Sequence, residues 1–133
     1  MMMQLDVETR AHHEMVDITS RVQQAVVGSG VQEGLCALSV PHTTAGLCLN
    51  ENWDPDVRSD LLAALAAMVP GIPWQHSEGN SPAHLLSTLV GVSATLLVSD
   101  GRLLLGSWQG VYLAEFDGPR RRRVLLRIVA DRD

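Results

Sequence analysis

Ser93-Ala94-Thr95-Leu96-Leu97-Val98-Ser99 is followed by Asp100-Gly101 and then by Leu103-Leu104-Leu105. Two apolar runs joined by a dipeptide that accepts a tight turn are the signature of a β-hairpin, so the C-terminal third is read as sheet. Two more strands follow, over 110–116 and 123–130, and both carry apolar residues on the two parities, as strands covered on both faces do. Working back from the hairpin, Asn80 or Ser81 followed by Pro82 starts a short helix through about Leu89, and Gly91 closes it. The stretch 70–78 is irregular. Asp54-Pro55 is a stronger helix start, because the carboxylate accepts from orphan amides and proline suits the first helical position; that helix runs to about Met68, before Pro70. Further back, strands are expected over 34–40 and 46–50. Thr19 or Ser20 caps a helix with Val22, Ala25 and Val26 on one stripe that stops near Gly28 and Gly30, and 3–10 and 14–18 alternate as half-buried strands do. Sheet with two or three short helices, the α+β class, is what this order favours.

The chain has 133 residues, 46% of them hydrophobic and 19% charged, which suits one domain over 1–133 and excludes disorder. Its longest unbroken apolar run, 61–69, is too short to cross a bilayer, so no membrane partner is expected. The first residues, Met1-Met2-Met3-Gln4-Leu5-Asp6, show no basic segment, apolar core or cleavage site of a secretory signal, and a cytoplasmic location is expected. In a reducing compartment Cys36 and Cys48, each inside an apolar stretch, read as buried thiols. The formal net charge of −5 argues against nucleic acid as a partner. All ten basic residues are nevertheless arginine, four of them consecutive at Arg120, Arg121, Arg122 and Arg123. Arginine suits bidentate recognition of phosphate or carboxylate, so a local anion site can coexist with an acidic chain. On a strand Arg120 and Arg122 would share one face, and Arg121 and Arg123 the other.

Polar residues that folding alone does not explain gather in three segments. These are Pro41-His42-Thr43-Thr44-Ala45-Gly46 with Asn50-Glu51-Asn52, then His76-Ser77-Glu78-Gly79-Asn80-Ser81-Pro82-Ala83-His84, then Ser107-Trp108-Gln109 with Glu115-Phe116-Asp117-Gly118-Pro119-Arg120. His42, His76 and His84 could converge only if the fold brings their strand and helix ends together; the spacing of His76 and His84 is unlike any compact zinc signature, and capping or loop hydrogen bonding is the plainer reading. His12 and His13 fall in a hairpin and are expected to be exposed. Asp54 and Asp56 suit a helix N-terminus, whereas Asp60 lies beyond its first turn. The helix start near Asn80, beside Gly79 and Ser81, offers free amides to a phosphate, and Thr43, Thr44 and Ser81 could add hydroxyls.

In their order and separation these segments closely resemble the YjbQ family, and the resemblance spans nearly the whole chain. The family comprises small bacterial and archaeal proteins described as secondary thiamine-phosphate synthase enzymes. The resemblance implies a sandwich-like fold of mostly antiparallel sheets that assembles as a homotrimer, with a histidine-rich face as its site. It places the family's histidines on His42, His76 and His84 as ligands of a divalent metal, zinc first, and its acidic and amide positions on Glu51, Asn52, Glu78 and Asn80 as the catalytic set. Substrate contacts would come from Thr43, Thr44, Gly79, Ser81, Trp108, Gln109, Arg120 and Arg122. Cys48 and Ser107 stand where the family pattern more often has threonine.

Three functional readings follow. A metal-assisted enzyme acting on a small phosphorylated substrate is the first, with thiamine-phosphate synthesis as the named reaction; it must hold anionic groups and stabilise a departing pyrophosphate. A zinc-dependent hydrolase with Glu51 or Glu78 as general base is the second. The third is a non-catalytic trimeric module that binds a phosphorylated metabolite.

Overall fold

The hairpin is formed as expected. In the structure, a computed structural model that describes residues 2–132, β5 (Ser93–Ser99) pairs antiparallel with β6 (Arg102–Leu103). Asp100 and Gly101 both take positive φ, 53° and 74°, the backbone that a two-residue hairpin turn requires. The preceding elements are β1 (Met2–Glu8), β2 (Glu14–Asp17), α1 (Thr19–Ser29), β3 (Gly34–Ser39), β4 (Ala45–Glu51), α2 (Pro55–Ala67) and α3 (Ser81–Val90). After the hairpin come β7 (Gln109–Glu115) and β8 (Arg121–Ala130). Every strand pair is antiparallel. One sheet runs β1-β8-β3-β5-β6 and the other β2-β7-β4.

The two sheets face one another. Val7, Cys36, Leu38, Val98, Val124 and Leu126 of the larger sheet meet Leu47, Val111 and Leu113 of the smaller, and Val22 and Val26 of α1 close the same core. Each such side chain contributes about 1.5–3 kcal/mol on burial. The opposite face of the smaller sheet, with Met15, Tyr112, Ala114 and Phe116, is covered by Ala83 and Leu86 of α3 and by Leu61, Leu62 and Leu65 of α2. Strand β7 is therefore buried on both faces, as its two apolar parities require. On β8 the same expectation holds for one face only: Val124 and Leu126 point inward, while Arg121, Arg123, Arg127 and Val129 lie exposed on the outer face.

One helix start differs from its sequence reading. Neither Thr19 nor Ser20 caps α1, because the N-cap position falls on Ile18. Asp17 Oδ1 instead accepts from the Thr19 amide at 2.9 Å and from the Thr19 hydroxyl, and that hydroxyl accepts from the Val111 amide at 2.8 Å. Helix α3 starts as read, with Asn80 at its N-cap position and Pro82 in its first turn, and the Asn80 side chain turns to Asp117. Helix α2 starts as read, with Asp54 accepting from the Asp56 amide at 2.9 Å and Pro55 in the first turn.

Candidate functional site

Strands β4 and β7 run side by side, with Ala45 opposite Glu115 at one end and Glu51 opposite Gln109 at the other. Beyond the first end the chain opens a pocket of about 450 Å³. The turn from β3 to β4 supplies His42, Thr43 and Thr44; the loop before α3 and its first turn supply His76, Glu78, Asn80 and His84; the approach to β8 supplies Asp117, Arg120 and Arg122.

Under the pocket lies a buried ion pair. Glu115 has no exposed surface and Arg122 is 4% exposed. The Arg122 Nε donates to Glu115 Oε1 at 2.8 Å and its Nη2 donates to Oε2, while the same Nη2 donates to Thr44 Oγ1 at 2.8 Å. The Thr9 hydroxyl donates to Oε1 at 2.7 Å and the Asp117 amide to Oε2 at 3.1 Å. Burial opposes ionisation of Glu115, but the hydrogen bonds from Arg122, Thr9 and the Asp117 amide, with the guanidinium charge, outweigh it and hold the carboxyl below its ordinary range. Arg122 Nη1 has no protein partner among the described residues, and Arg122 lines the pocket.

A second, shallower pair sits beside it. Asp117 Oδ2 accepts from Asn80 Nδ2 and from Arg120 Nη2, each at 2.9 Å, and the Arg120 Nε donates to the Asp117 carbonyl at 2.8 Å. Partial burial works against the Asp117 charge, yet the Asn80 hydrogen bond and the Arg120 guanidinium carry its carboxyl below the ordinary range. Asn80 Oδ1 is buried with no donor. Both arginines are thus matched by a carboxylate, and what the pocket offers an anion is unspent N–H groups rather than excess positive charge.

The histidines do converge on this pocket. The rings of His76 and His84 meet edge to face with centroids 5.6 Å apart, and His76 Nε2 lies 3.9 Å from Glu78 Oε2. Nε2 of His42 accepts a hydrogen bond from the Arg123 backbone N–H at 3.0 Å. Burial, followed by the charges of Arg122 and Arg123, lowers the His42 pKa and so favours the neutral ring. A neutral imidazole has one lone pair, and here the amide uses it, so His42 does not fit the three-histidine zinc set implied by the resemblance. Among the described residues no group of three or more His, Cys, Asp or Glu side chains is arranged to hold a metal ion. Both cysteines are free thiols with pKa values raised by burial, that of Cys36 to about 11.

Other expected site residues lie elsewhere. Glu51, Asn52, Trp108 and Gln109 sit at the far end of β4 and β7, roughly 20 Å away along the strands. Each has work there: the Glu51 carbonyl accepts from the Tyr112 hydroxyl at 3.1 Å, Asn52 Nδ2 donates to Asp17 Oδ2 at 3.3 Å, Gln109 Oε1 accepts from the Gly106 amide at 2.8 Å, and Trp108 packs edge to face on Trp53. Gly79 and Ser81 do not line the pocket, and the Gly79 amide points back to the His76 carbonyl. The arginine parity holds for Arg122, inward, against Arg121 and Arg123, exposed. Arg120 precedes β8 and reaches the pocket from a loop, not from the strand. His13 is half-buried rather than exposed, stacked on His12 and edge-on to Phe116, and burial lowers its pKa. Sequence reading gave Glu115, Asp117 and Thr9 no role, although a lone glutamate ending the apolar run Val111-Tyr112-Leu113-Ala114 shortly before four arginines was the available signal.

Comparison with known proteins matches this arrangement throughout its length. Residues 3–131 fit the family profile described as UPF0047 protein YjbQ-like. A UPF0047 protein of Methanocaldococcus jannaschii is 44% identical over 99% of this chain and 96% of its own length, and YugU of Bacillus subtilis is 41% identical over 97% and 99%. Among solved structures, a YjbQ/UPF0047-family protein of Clostridium acetobutylicum superposes with a TM-score of 0.92 at 43% identity, covering 96% of this chain and 99% of that one. A YbjQ-like protein of Sulfolobus solfataricus gives the same TM-score, 0.92, at 33% identity, with 98% and 97% covered. Matched by the family profile over nearly its whole length and by full-length relatives at 41% and 44% identity, the chain belongs to the UPF0047 family of YjbQ-like proteins.

Proposed function

We propose that the pocket binds a small phosphorylated molecule, and that the protein is a cytosolic homotrimeric enzyme for such a substrate. The observation that carries this reading is the Arg122 guanidinium. It is buried, fixed on Glu115 and Thr44, and left with Nη1 unpaired at the pocket, with Arg120 Nη1 likewise without a protein acceptor among the described residues. Donors fixed in advance bind an oxyanion without the cost of ordering them. Thiamine-phosphate synthesis is the candidate reaction: its substrates carry phosphate and pyrophosphate, and the same donors would stabilise the leaving pyrophosphate.

The test is a calorimetric titration of inorganic phosphate into the wild type and into lysine variants at Arg120, Arg121 and Arg123. Arg120→Lys is expected to weaken binding by about 1.5–3 kcal/mol, the value of one charge-assisted hydrogen bond. The variants at Arg121 and Arg123, whose side chains are turned to solvent, should bind as the wild type does. Equal affinities for all would overturn the reading.

A second reading, a zinc-dependent hydrolase, is favoured by one observation: the buried Asn80 Oδ1 lacks a donor, and Asn80 lines the pocket together with His76, His84 and Glu78. A cation would satisfy that oxygen, and of the two glutamates proposed as base, Glu51 and Glu78, it is Glu78 that lines this pocket. Metal analysis of untagged protein separates the two readings: near-stoichiometric zinc without phosphate binding favours the hydrolase, and phosphate binding by metal-free protein favours the first.

A further inference from the structure

The turn that carries His42 leaves the larger sheet just where a backbone donor needs a partner. Strand β3 pairs with β8 from Gly34 opposite Ala130 to Ser39 opposite Leu125, and there the pairing ends. Val40 bonds instead to the Val92 carbonyl, at 2.7 Å. On β8 the next donor beyond this register is the Arg123 amide, and the His42 ring takes it through Nε2 at 3.0 Å. An unpaired backbone N–H is costly, so the imidazole here replaces the carbonyl that β3 no longer supplies. The bond holds two elements together and also sets the chemistry of the ring. With Nε2 accepting, the proton of the neutral imidazole is on Nδ1. No protein acceptor takes that Nδ1–H among the described residues, and His42 lines the pocket beside Thr43, Thr44 and Arg122.

We propose that His42 is a neutral hydrogen-bond donor of the pocket, fixed by the Arg123 amide in the Nδ1–H tautomer, and that it donates to an oxygen of the bound phosphate instead of ligating a metal. The proposal rests on the anion reading above and adds to it the identity of a third N–H donor besides the two arginines. A ligand with a phosphoryl oxygen satisfies this donor.

The experiment is two-bond 1H–15N correlation spectroscopy of protein labelled with 15N in histidine and arginine, at neutral pH, first alone, then with inorganic phosphate, then with zinc chloride. His42 should show a protonated Nδ1 and an unprotonated Nε2 in the free protein. Phosphate should shift Nδ1 with Nε2 unchanged, and zinc should leave both His42 nitrogens where they were. An Nε2–H tautomer, or a His42 nitrogen that moves on zinc addition, would overturn the proposal. A phosphate shift at the Arg120 and Arg122 resonances with His42 silent would also overturn it while leaving the anion reading in place. Silence at both arginines and at His42, with the Nδ1–H tautomer intact, would instead overturn the anion reading and the donor role with it. By calorimetry His42→Ala should weaken phosphate binding on the order of tenfold. His42→Gln, whose side-chain oxygen can still accept from the Arg123 amide and whose N–H2 group can stand in for the Nδ1–H donor, should keep the fold and recover part of that loss; a loss as large as that of His42→Ala in a folded variant would count against the donor role.

Discussion

Glu115 carries more of the site than any histidine. It is fully buried, it accepts from four donors, and its partner Arg122 has nowhere else to put its charge. Removing one member of such a pair leaves the other unpaired in low dielectric, so Glu115→Gln should destabilise the fold by about 3–5 kcal/mol at neutral pH. The pH dependence has a definite sign. Because the folded pKa lies below the ordinary one, the carboxylate's contribution is complete above the ordinary glutamate range and is lost as the pH falls through the folded value. Urea unfolding of wild type and variant should therefore show a gap that is widest near neutrality and narrows in acid; a gap independent of pH would mean that the ion pair is not its source. At this scale the sequence was legible where chemistry depends on residue type, as with His42, Thr44, Arg120 and Arg122. It was not legible where chemistry depends on which residue lies opposite. That Arg122 meets Glu115, and that Nε2 of His42 meets an amide, follows from register across strands distant in the chain.

Elements were read more completely, because their signals are local. Asp54-Pro55 gave α2 and Asp100-Gly101 the hairpin, since capping and turn geometry involve residues a few positions apart. Side chains that serve two elements were less legible: Asn80 turns from its helix to Asp117, and Thr19 from its helix to β7. The contact between α3 and β4 shows how an element places the site. The Leu47 amide donates to the Gly91 carbonyl at 2.9 Å, and a Cβ added at Gly46 would lie 2.7 Å from that carbonyl oxygen and 3.0 Å from Val90 Cγ1. Gly46 thus allows the end of α3 to rest on the sheet, and α3 carries His84 and follows directly from Asn80. Gly46→Ala should cost about 1–3 kcal/mol in urea unfolding, the usual penalty of overpacking. By tilting α3 it should also weaken phosphate binding, although residue 46 does not line the pocket. Unchanged affinity in a destabilised variant would show that the helix can shift without moving the site.

At the scale of the whole molecule the sequence conveyed the class and the two-sided burial of β7, but not the strand order β1-β8-β3-β5-β6, which joins segments from both ends of the chain. Nor could it show that the outer face of this larger sheet bears an apolar row. Val129 lies opposite Leu35 and Leu35 opposite Leu97, and the Leu104 amide bonds to the Leu97 carbonyl. All four are open to solvent in the protomer, at 54%, 42%, 55% and 60% exposure. Isolated exposed leucines are ordinary, but four side by side across adjoining strands make a continuous patch of the kind that marks a protein interface. We propose that this face is buried between copies of the chain in the homotrimer proposed above. A glutamate in the row would bury an unpaired charge, which costs several kcal/mol and is enough to dissociate a small interface. Light scattering at micromolar concentration should give the mass of three chains for the wild type and of one chain for Leu97→Glu. Residue 97 lies outside the pocket, so the dissociated variant should still bind phosphate if each protomer holds a complete site. A wild type that runs as a monomer would remove the trimer, and a variant that stays trimeric would move the interface to another face. Loss of phosphate binding on dissociation would show that each pocket borrows groups from a neighbouring copy, with the distant Trp108 and Gln109 end of the sheet as the first place to look.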